Sequence, residues 1–453
     1  MNFTRIFVLL LLSVCFAVLP VTAEAKTFIV NSTLDDIDAG PGDGTCATAG
    51  GVCTLRAAIQ EANVFPGPDV IKLKTGLYML TLGGISEDLS ATGDLDITGD
   101  LAIIGMGAKN TFINGGKLDR VFHIIGSISV SFTNLTIQNG LATDPISGNA
   151  FGGGIFNDGG TLEIIGSTIS NNIATGPGDA YGGGIYSNGG SLTIKKSTIS
   201  NNSAQGGADN YGGGIYAYSA VVTITGSTLS NNSALGATDG YGGGIYAYST
   251  VLTIRGSTIS NNSASGITSG VGGGIYNGNS PAMTITASNL SNNSASGGIS
   301  AYAGGIENFL GTLTITGTTL SNNSAQGGSA GDGCYGGGIS NESAMTTIKE
   351  SILSNNIALG FNNAHGGGIY NNAGTVTVTG STLSNNSASG PATGEGGGIY
   401  NYFSSTLTVQ SASKIVRNFA SDGEGGIYSN PSSTVTISPD STVAKNIPND
   451  KNF

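Results

Sequence analysis

From Phe151 onward the chain repeats itself about every thirty residues, and few architectures accept so short a period. The segment Gly-Gly-Gly-Ile-aromatic, with variants, returns with its isoleucine at Ile155, Ile185, Ile215, Ile245, Ile275, Ile306, Ile339, Ile369, Ile399 and Ile427. A second segment, Ser-Thr-Ile/Leu-Ser-Asn-Asn, keeps step with it, as in Ser197 to Asn202 and Ser381 to Asn386. A third, of the Leu-Thr-Ile-Thr kind, sits between them, as in Leu313 to Thr316. A constant period of this length means stacked units: a solenoid or a propeller.

Each unit carries three short β-branched segments and no stretch fit for a helix. In Leu192-Thr193-Ile194-Lys195, apolar residues alternate with polar ones, the period-two pattern of a strand with one buried face. Propeller blades need longer strands and about forty residues per repeat. Three brief strands per thirty residues instead make one coil of a right-handed parallel β-helix, each strand pairing with its equivalent ~4.8 Å along the axis. Strand-like segments at 70–82, 95–104, 111–114, 121–125 and 128–137 add about three earlier coils. The whole predicts about 13 coils and a rod of roughly 60 Å. Ile194 and its equivalents point inward, and the glycine triplets permit a tight corner. Of the paired asparagines, the first gives way to Arg417 and Lys445 and therefore faces water. The second persists as Asn418 and Asn446 and reads as a turn residue in the left-handed region, its amide bonded to the adjacent coil. Loops of about eight residues, such as Ala174 to Ala180, leave each coil at one place and predict a continuous irregular face suited to recognition.

The region before the solenoid reads differently. Residues 1–25 have a charged start with Arg5, an apolar run from Ile6 to Leu19 and small residues at Ala23 and Ala25, the order of a cleaved secretory signal. Residues 26–68 form a cap ahead of the solenoid at 69–453. Within the cap, Cys46 and Cys53 lie seven apart around a glycine-rich loop and read as a local disulfide in an exported chain. A metal site would need further Cys or His nearby. Cys334 is left over, either a buried thiol or a partner for another chain. Thr54 to Asn63 is the one convincing helix, stopped before Pro66, with Leu55, Ile59 and Ala62 on one face. Such a helix would cover the open end of a solenoid.

The residues Cys53-Thr54-Leu55-Arg56-Ala57-Ala58-Ile59 with Ala62-Asn63, preceded by Asp43-Gly44-Thr45-Cys46, resemble the CSLREA domain of bacterial surface proteins. Thr54 stands for the usual Ser and Ala57 for the usual Glu. The stretches Gly93 to Asp100 and Asp119 to His123 also resemble proteins carrying that domain. The Gly-Gly-Gly-Ile and Ile/Leu-Ser-Asn-Asn segments are similar to the polymorphic outer membrane protein repeat. The resemblance spans nearly the whole mature chain and implies a pectin-lyase-like β-helix, export and a cell-surface, often adhesive, role. It implies no particular catalytic residues.

Function classes narrow from there. A net charge of −12 argues against nucleic acid, whose phosphates need a basic face. No further segment is long and apolar enough to span a bilayer as a helix. Polysaccharide-active enzymes concentrate carboxylates and bases on one strand face, but the only arginines of the repeats are Arg255 and Arg417, far apart in coil number, and their only histidine is His365. His123 lies in an apolar strand and reads as packed. No catalytic constellation is visible. Asp94, Asp96 and Asp100 are the densest carboxylates and the candidate ligands for Ca²⁺, though Asp is equally a turn residue at strand ends. Asp179, Asp209 and Asp239 recur at one loop position and offer a second, weaker cation site.

Aromatic residues are the better signal. Tyr181, Tyr211 and Tyr241 precede the glycines; Tyr186, Tyr216, Tyr246 and Tyr276 follow the isoleucines and should point outward; Tyr218 and Tyr248 extend the patch. Two readings stay open: a strip binding a glycan or a surface protein, or ladder packing beneath the loops. The sequence thus favours a secreted or cell-surface binding protein, adhesin-like, over a polysaccharide-active enzyme. Ice binding through Thr-x-Thr rows such as Thr223/Thr225 and Thr377/Thr379 is a distant third, since Lys195, Arg255 and Lys349 interrupt the array.

Overall fold

The computed structural model describes residues 25–85, 87–143, 148–328 and 333–453, so the signal segment lies outside the described residues. Among the described residues every strand pairing along the rod is parallel and joins one coil to the next. The chain is a right-handed parallel β-helix. Segments of the Leu-Thr-Ile-Thr kind build one sheet of 14 strands, here the threonine sheet, and Thr-Ile-Ser segments build a second of 13. The glycine-preceded Ile-Tyr segments stack as the third face, the tyrosine sheet. Within the threonine sheet Leu192 and Ile194 are fully buried while Thr193 is half-exposed. A single core of Leu, Ile and Val then runs from the helix to the last coils.

Three strands per coil proves too few. The predicted irregular loops are a second ordered layer. After the asparagines the chain runs out as Ser203–Gly206, turns, and returns as Asn210–Tyr211, and both segments pair with their equivalents above and below. Nine returning strands stack this way. Between the two backbones lies a thin core of fully buried alanines: Ala174, Ala180 and Ala204 in early coils, Ala295, Ala325 and Ala358 in later ones. Methyl groups fill most of these positions, and Asn210 and Gly240 also stand in register with Ala180. Cys334 takes one of these positions, in register with Ala301 and Ala364, and is a buried free thiol. In the last complete coil the excursion is shorter: Phe419–Ser429 is one bulged strand, shifted in register against Ile447–Lys451 and with Gly423 at φ +67°, pairing first with the outgoing segment and then with the tyrosine sheet of its neighbour. The flange is therefore a fold pinched out of what would otherwise be one continuous sheet.

Glycine is required where the flange rejoins the coil. Gly182 has φ +65°, and a Cβ on Gly183 would lie 2.3 Å from the carbonyl carbon of Ser203.

The first asparagine faces water and the second bonds its amide to the adjacent coil, as expected, but the left-handed turn falls on the first. The first, outward one takes the left-handed conformation, from Asn201 at φ 55° to Arg417 at 59° and Lys445 at 61°. The second is buried and extends a ladder of amides. Asn232 Oδ1 accepts from the backbone and side-chain nitrogens of Asn202, while its Nδ2 donates to Ile199 O and Asn262 Oδ1. The ladder needs an amide at every rung, which is why this position never varies. The outer position needs only to tolerate positive φ, which Arg and Lys also manage.

At the N-terminal end, the helix Leu55–Val64 packs against Asp69–Lys72 and Leu95–Ile97. Thr54 Oγ1 caps it by accepting from Ala57 N at 3.1 Å. Leu55, Ile59 and Ala62 are buried as the periodicity requires, but so are Arg56, Gln60 and Glu61, because residues 35–44 wrap the other side. Arg56 pairs with Asp35 at 2.7 Å and donates to the carbonyls of Ser90, Gly93 and Asp94. Cys46 and Cys53 are joined as a disulfide.

Candidate binding groove

Where the flange leaves the rod it forms a crease with the tyrosine sheet, and alternation fills that crease with aromatic rings. On the tyrosine sheet, one outward row runs in register through Asp96, His123, Phe156, Tyr186, Tyr216, Tyr246, Tyr276, Glu307, Ser340, Tyr370, Tyr400 and Tyr428. Facing it, the returning flange strands carry Phe151, Tyr181, Tyr211, Tyr241, Val271, Tyr302, Tyr335, His365 and Glu395.

The rings stack face to face along each row because the coil spacing matches the thickness of an offset stack. Centroids lie 4.9 Å apart for Tyr186 and Tyr216, 5.0 Å for Tyr216 and Tyr246, and 4.7 Å for Tyr246 and Tyr276. The flange row repeats this at 5.0 and 5.1 Å from Tyr181 to Tyr241. Across the crease the rows meet edge to face, as for Tyr211 and Tyr246 at 5.1 Å and 72°. The outward direction of these tyrosines holds, but outward here does not mean free. Tyr216 and Tyr246 are each 9% exposed. Tyr218, two residues on, stands on the outer lip at 41% exposure and stacks with Tyr248 at 6.0 Å. Burial pushes the hydroxyls of both rows well above the usual tyrosine range, so they stay protonated donors at any ordinary pH.

Stacking leaves ring edges and hydroxyls, not ring faces, along most of the groove. Tyr181 Oη donates to Asp179 Oδ2 at 2.8 Å, and Tyr211 and Tyr241 do the same to Asp209 and Asp239 at 3.3 and 3.1 Å. The other oxygen of each carboxylate accepts a backbone N–H from the next coil, as Asp179 does from Asp209 and Asp239 from Ser269. Three successive coils thus each present one aspartate–tyrosine pair at the same height.

Ring faces come free where the stacks break. Val271 interrupts the flange row, Glu307 the sheet row, and Gly278 stands at the lip between Tyr248 and Phe309. The result is a pocket of about 150 Å³ lined by Tyr241, Val271, Tyr276, Tyr302, Glu307, Phe309 and Glu342. Aromatic stacking resumes beyond it: Tyr302 with Tyr335 at 4.9 Å, Tyr370 with Tyr400 at 5.7 Å and Tyr400 with Tyr428 at 4.6 Å. The sequence reading ended the aromatic strip at Tyr276. Counting each residue's offset from its isoleucine places Tyr370, Tyr400 and Tyr428 in the same row.

At the other end of the row the three candidate calcium ligands are not brought together. Asp100 follows the turn out of Leu95–Ile97 and reaches the threonine sheet, where it accepts from Ser129 N at 2.7 Å. Asp94 is buried and pairs with Arg120 at 3.2 Å. Asp96 instead joins Asp88 and His123, each carboxylate lying 3.5 Å from His123 Nδ1. Asp96 Oδ2 accepts from Ser90 N at 2.8 Å, while Oδ1 is buried with no hydrogen-bond partner. His123 faces outward, stacked on Phe156 at 4.7 Å, and Asp119 lies buried alongside. Burial raises the carboxyl pKa of Asp94 and Asp119, against the pull of Arg120. Two oxygens and an imidazole suit a borderline transition metal such as Zn²⁺ better than Ca²⁺, which takes six or more oxygens. His123, expected to be packed in its apolar strand, alternates outward from the buried Phe122, and Asp88, Asp96 and His123 lie in separate segments that only the fold gathers.

Fold and groove together define a parallel β-solenoid with an aromatic crease along one edge. No family model matches the chain, and no curated protein matches it. Among solved structures it is similar to the Azotobacter vinelandii mannuronan C-5 epimerase AlgE4 A-module, at 14% identity over 86% of this chain and 94% of that one, with a TM-score of 0.32. It is also similar to the Dettilon tailspike protein (gp208), at 12% identity over 84% of this chain and 64% of that one, with a TM-score of 0.29.

Proposed function

We propose that this is a secreted or cell-surface binding protein, adhesin-like, that holds an extended glycan along the flange crease. The observation carrying this reading is the repetition of one aspartate–tyrosine pair in three successive coils beside a continuous tyrosine row. A polymer with a regular array of hydroxyls can exchange hydrogen bonds with such a strip coil after coil, and each added contact is intramolecular once the first has formed. The disulfide fits an oxidising compartment, and no helix of the described residues is long and apolar enough to cross a membrane. The test is a glycan array probed with the wild-type protein and with a Tyr218→Ala/Tyr248→Ala variant. These two lip residues offer the most accessible aromatic surface of the strip. Selective binding that falls in the variant supports the proposal, and equal binding by both proteins rejects it.

A second reading has its own observation. Asp88, Asp96, His123 and the Asp94–Arg120 pair assemble acid, base and cation at one end of the crease, the ingredients of a polysaccharide-active enzyme. Polygalacturonate and other acidic glycans incubated with the protein, with and without Ca²⁺ or Zn²⁺, separate the two. Cleavage or isomerisation that disappears in His123→Ala would establish the enzyme.

A further inference from the structure

The pocket at the break in the aromatic rows contains an electrostatic problem that the protein does not solve by itself. Glu307 is only 2% exposed, and the Ser340 hydroxyl beside it in the next coil leaves its Oε2 without a hydrogen-bond partner. Glu342 brings a second carboxyl to the same cavity, and no Lys, Arg or His lines it. A buried carboxyl with so little hydrogen bonding is costly, whether it stays ionised or takes a proton. Burial, reinforced by Glu342, pushes Glu307 well above the ordinary carboxylate range. The walls are aromatic. Tyr276 stacks on Tyr246 with one face, and its neighbour on the other side is Glu307 in place of a ring. Tyr302 stacks on Tyr335, and its other neighbour is Val271. Two stacks therefore end at this cavity, Tyr276 beside Glu307 and Tyr302 beside Val271. Gly278 makes room for this, since a Cβ there would meet the Tyr276 ring at 2.6 Å.

Carboxylate oxygen lacking a donor, ring faces carrying negative quadrupole and the absence of a lining cation select one ligand chemistry. We infer that the mid-groove pocket binds an organic ammonium group, its N–H donating to Glu307 Oε2 and its alkyl flank resting on Tyr276 and Tyr302. A hard metal ion is a poorer fit, because two carboxyls supply too few oxygens for Ca²⁺ and no imidazole or thiolate is present for Zn²⁺. The cavity of about 150 Å³ takes a group of roughly five heavy atoms, at ~30 Å³ for each water-sized unit. The ammonium can arrive on a small free amine or on an amino sugar, and the second source rests on the glycan reading above.

Titration calorimetry at neutral pH distinguishes these. The probes are ethylammonium with n-propanol as its uncharged control, and a tetramer of glucosamine with the N-acetylated tetramer as its control. Wild-type protein should bind ethylammonium saturably and n-propanol not at all. Glu307→Gln keeps the shape and removes the charge, and should weaken ethylammonium binding by about tenfold or more. Its melting temperature should be unchanged or higher, since an unpaired buried acid has been removed. Phe309→Leu, at the exposed rim of the pocket, is the second variant and should also weaken binding. If the glucosamine tetramer binds more tightly than ethylammonium and its N-acetylated control fails, the amine arrives on a glycan. If only ethylammonium binds, the pocket serves small amines and stands without the glycan reading. No saturable binding of either charged probe, or equal binding by Glu307→Gln, overturns the inference.

Discussion

Tyr216 and Tyr246 show how a residue can point away from the main core and still be structural. The flange folds over them, and each ring gains a neighbour on both faces and another at its edge. Replacing either with alanine removes a buried ring and several aromatic pairs, so we expect a loss of about 3–5 kcal/mol. Tyr218→Ala on the exposed lip should cost within about 1 kcal/mol. Urea unfolding of the three single variants checks this contrast, and equal midpoints would show that the crease is not packed as described. His365 gives a pH signature at the far end of the facing flange row. Burial pushes its pKa down to about 4, with Glu395 Oε2 at 3.7 Å from Nδ1. Unfolded, the imidazole takes its proton near ~6.5. Between these values the unfolded chain binds more protons than the folded one. This residue's contribution is therefore intact above ~6.5 and is lost as pH falls toward 4, by up to about 3 kcal/mol. Glu395 and other buried carboxyls act in the opposite direction, which makes the comparison with His365→Gln the useful one. The wild type should lose melting temperature faster than the variant across this window. Parallel profiles would mean that His365 is not held neutral by its surroundings.

Among the elements, the three sheet strands were legible and the flange was not, for one physical reason. Leu192, Ile194 and Ile199 announce themselves by hydrophobic contrast at period two, whereas the flange is cemented by methyl groups and backbone. Ala204 and Ala234 between serines and glycines give almost no amplitude in any hydropathy pattern, yet both are fully buried. The asparagines were misassigned for a related reason. Substitution by Arg417 correctly marked the outer position as exposed, but exposure says nothing about φ, and the left-handed turn was given to the wrong residue. A second amide ladder, from Asn277 through Asn308, Asn341 and Asn371 to Asn401, lies on the inner side of the tyrosine sheet with links of 2.7 to 2.9 Å. It begins at the coil where Val271 interrupts the flange row, and of the four earlier repeats Asn157 alone carries an amide at that position. The two asparagine roles make opposite predictions. Asn232→Ala should destabilise by about 1–3 kcal/mol, because it leaves buried donors of Asn202 without an acceptor. Asn231→Gly should be close to neutral, since glycine accepts positive φ as readily as asparagine does. Thermal unfolding of the pair would expose an exchange of roles if the larger loss fell on Asn231.

For the whole molecule, stability is a sum over coil-to-coil contacts, because each coil touches little beyond its neighbours. Removing residues 216–245 joins Ile215 to Tyr246 and excises one period of thirty without disturbing any register. The shortened protein should fold with a melting temperature within a few degrees of the parent, while its urea m-value falls in proportion to the surface lost. An excision of any length other than a whole period would misplace every ladder beyond it and should not fold. The N-terminal helix behaves otherwise. Arg56 and Gln60 tie it to the carbonyls of residues 90–94, and its loss would open the end of the core. Soluble, monodisperse protein lacking residues 26–68 would contradict its role as a cover.

The backbone hydrogen bonds that join the coils all run along the rod, and this decides how the molecule carries a load. In a sheet pulled along its strands the bonds share the force side by side and shear together. Here tension applied between the two ends passes through the coil junctions in series, so each junction bears the full force and the weakest one opens alone. A released coil of about thirty residues pays out roughly 100 Å of slack. Stretching a single tethered molecule should therefore give a train of evenly spaced rips at modest force in place of one large rupture. A surface protein with that response works as a tether that lengthens in steps under tension and rewinds when the pull is relaxed.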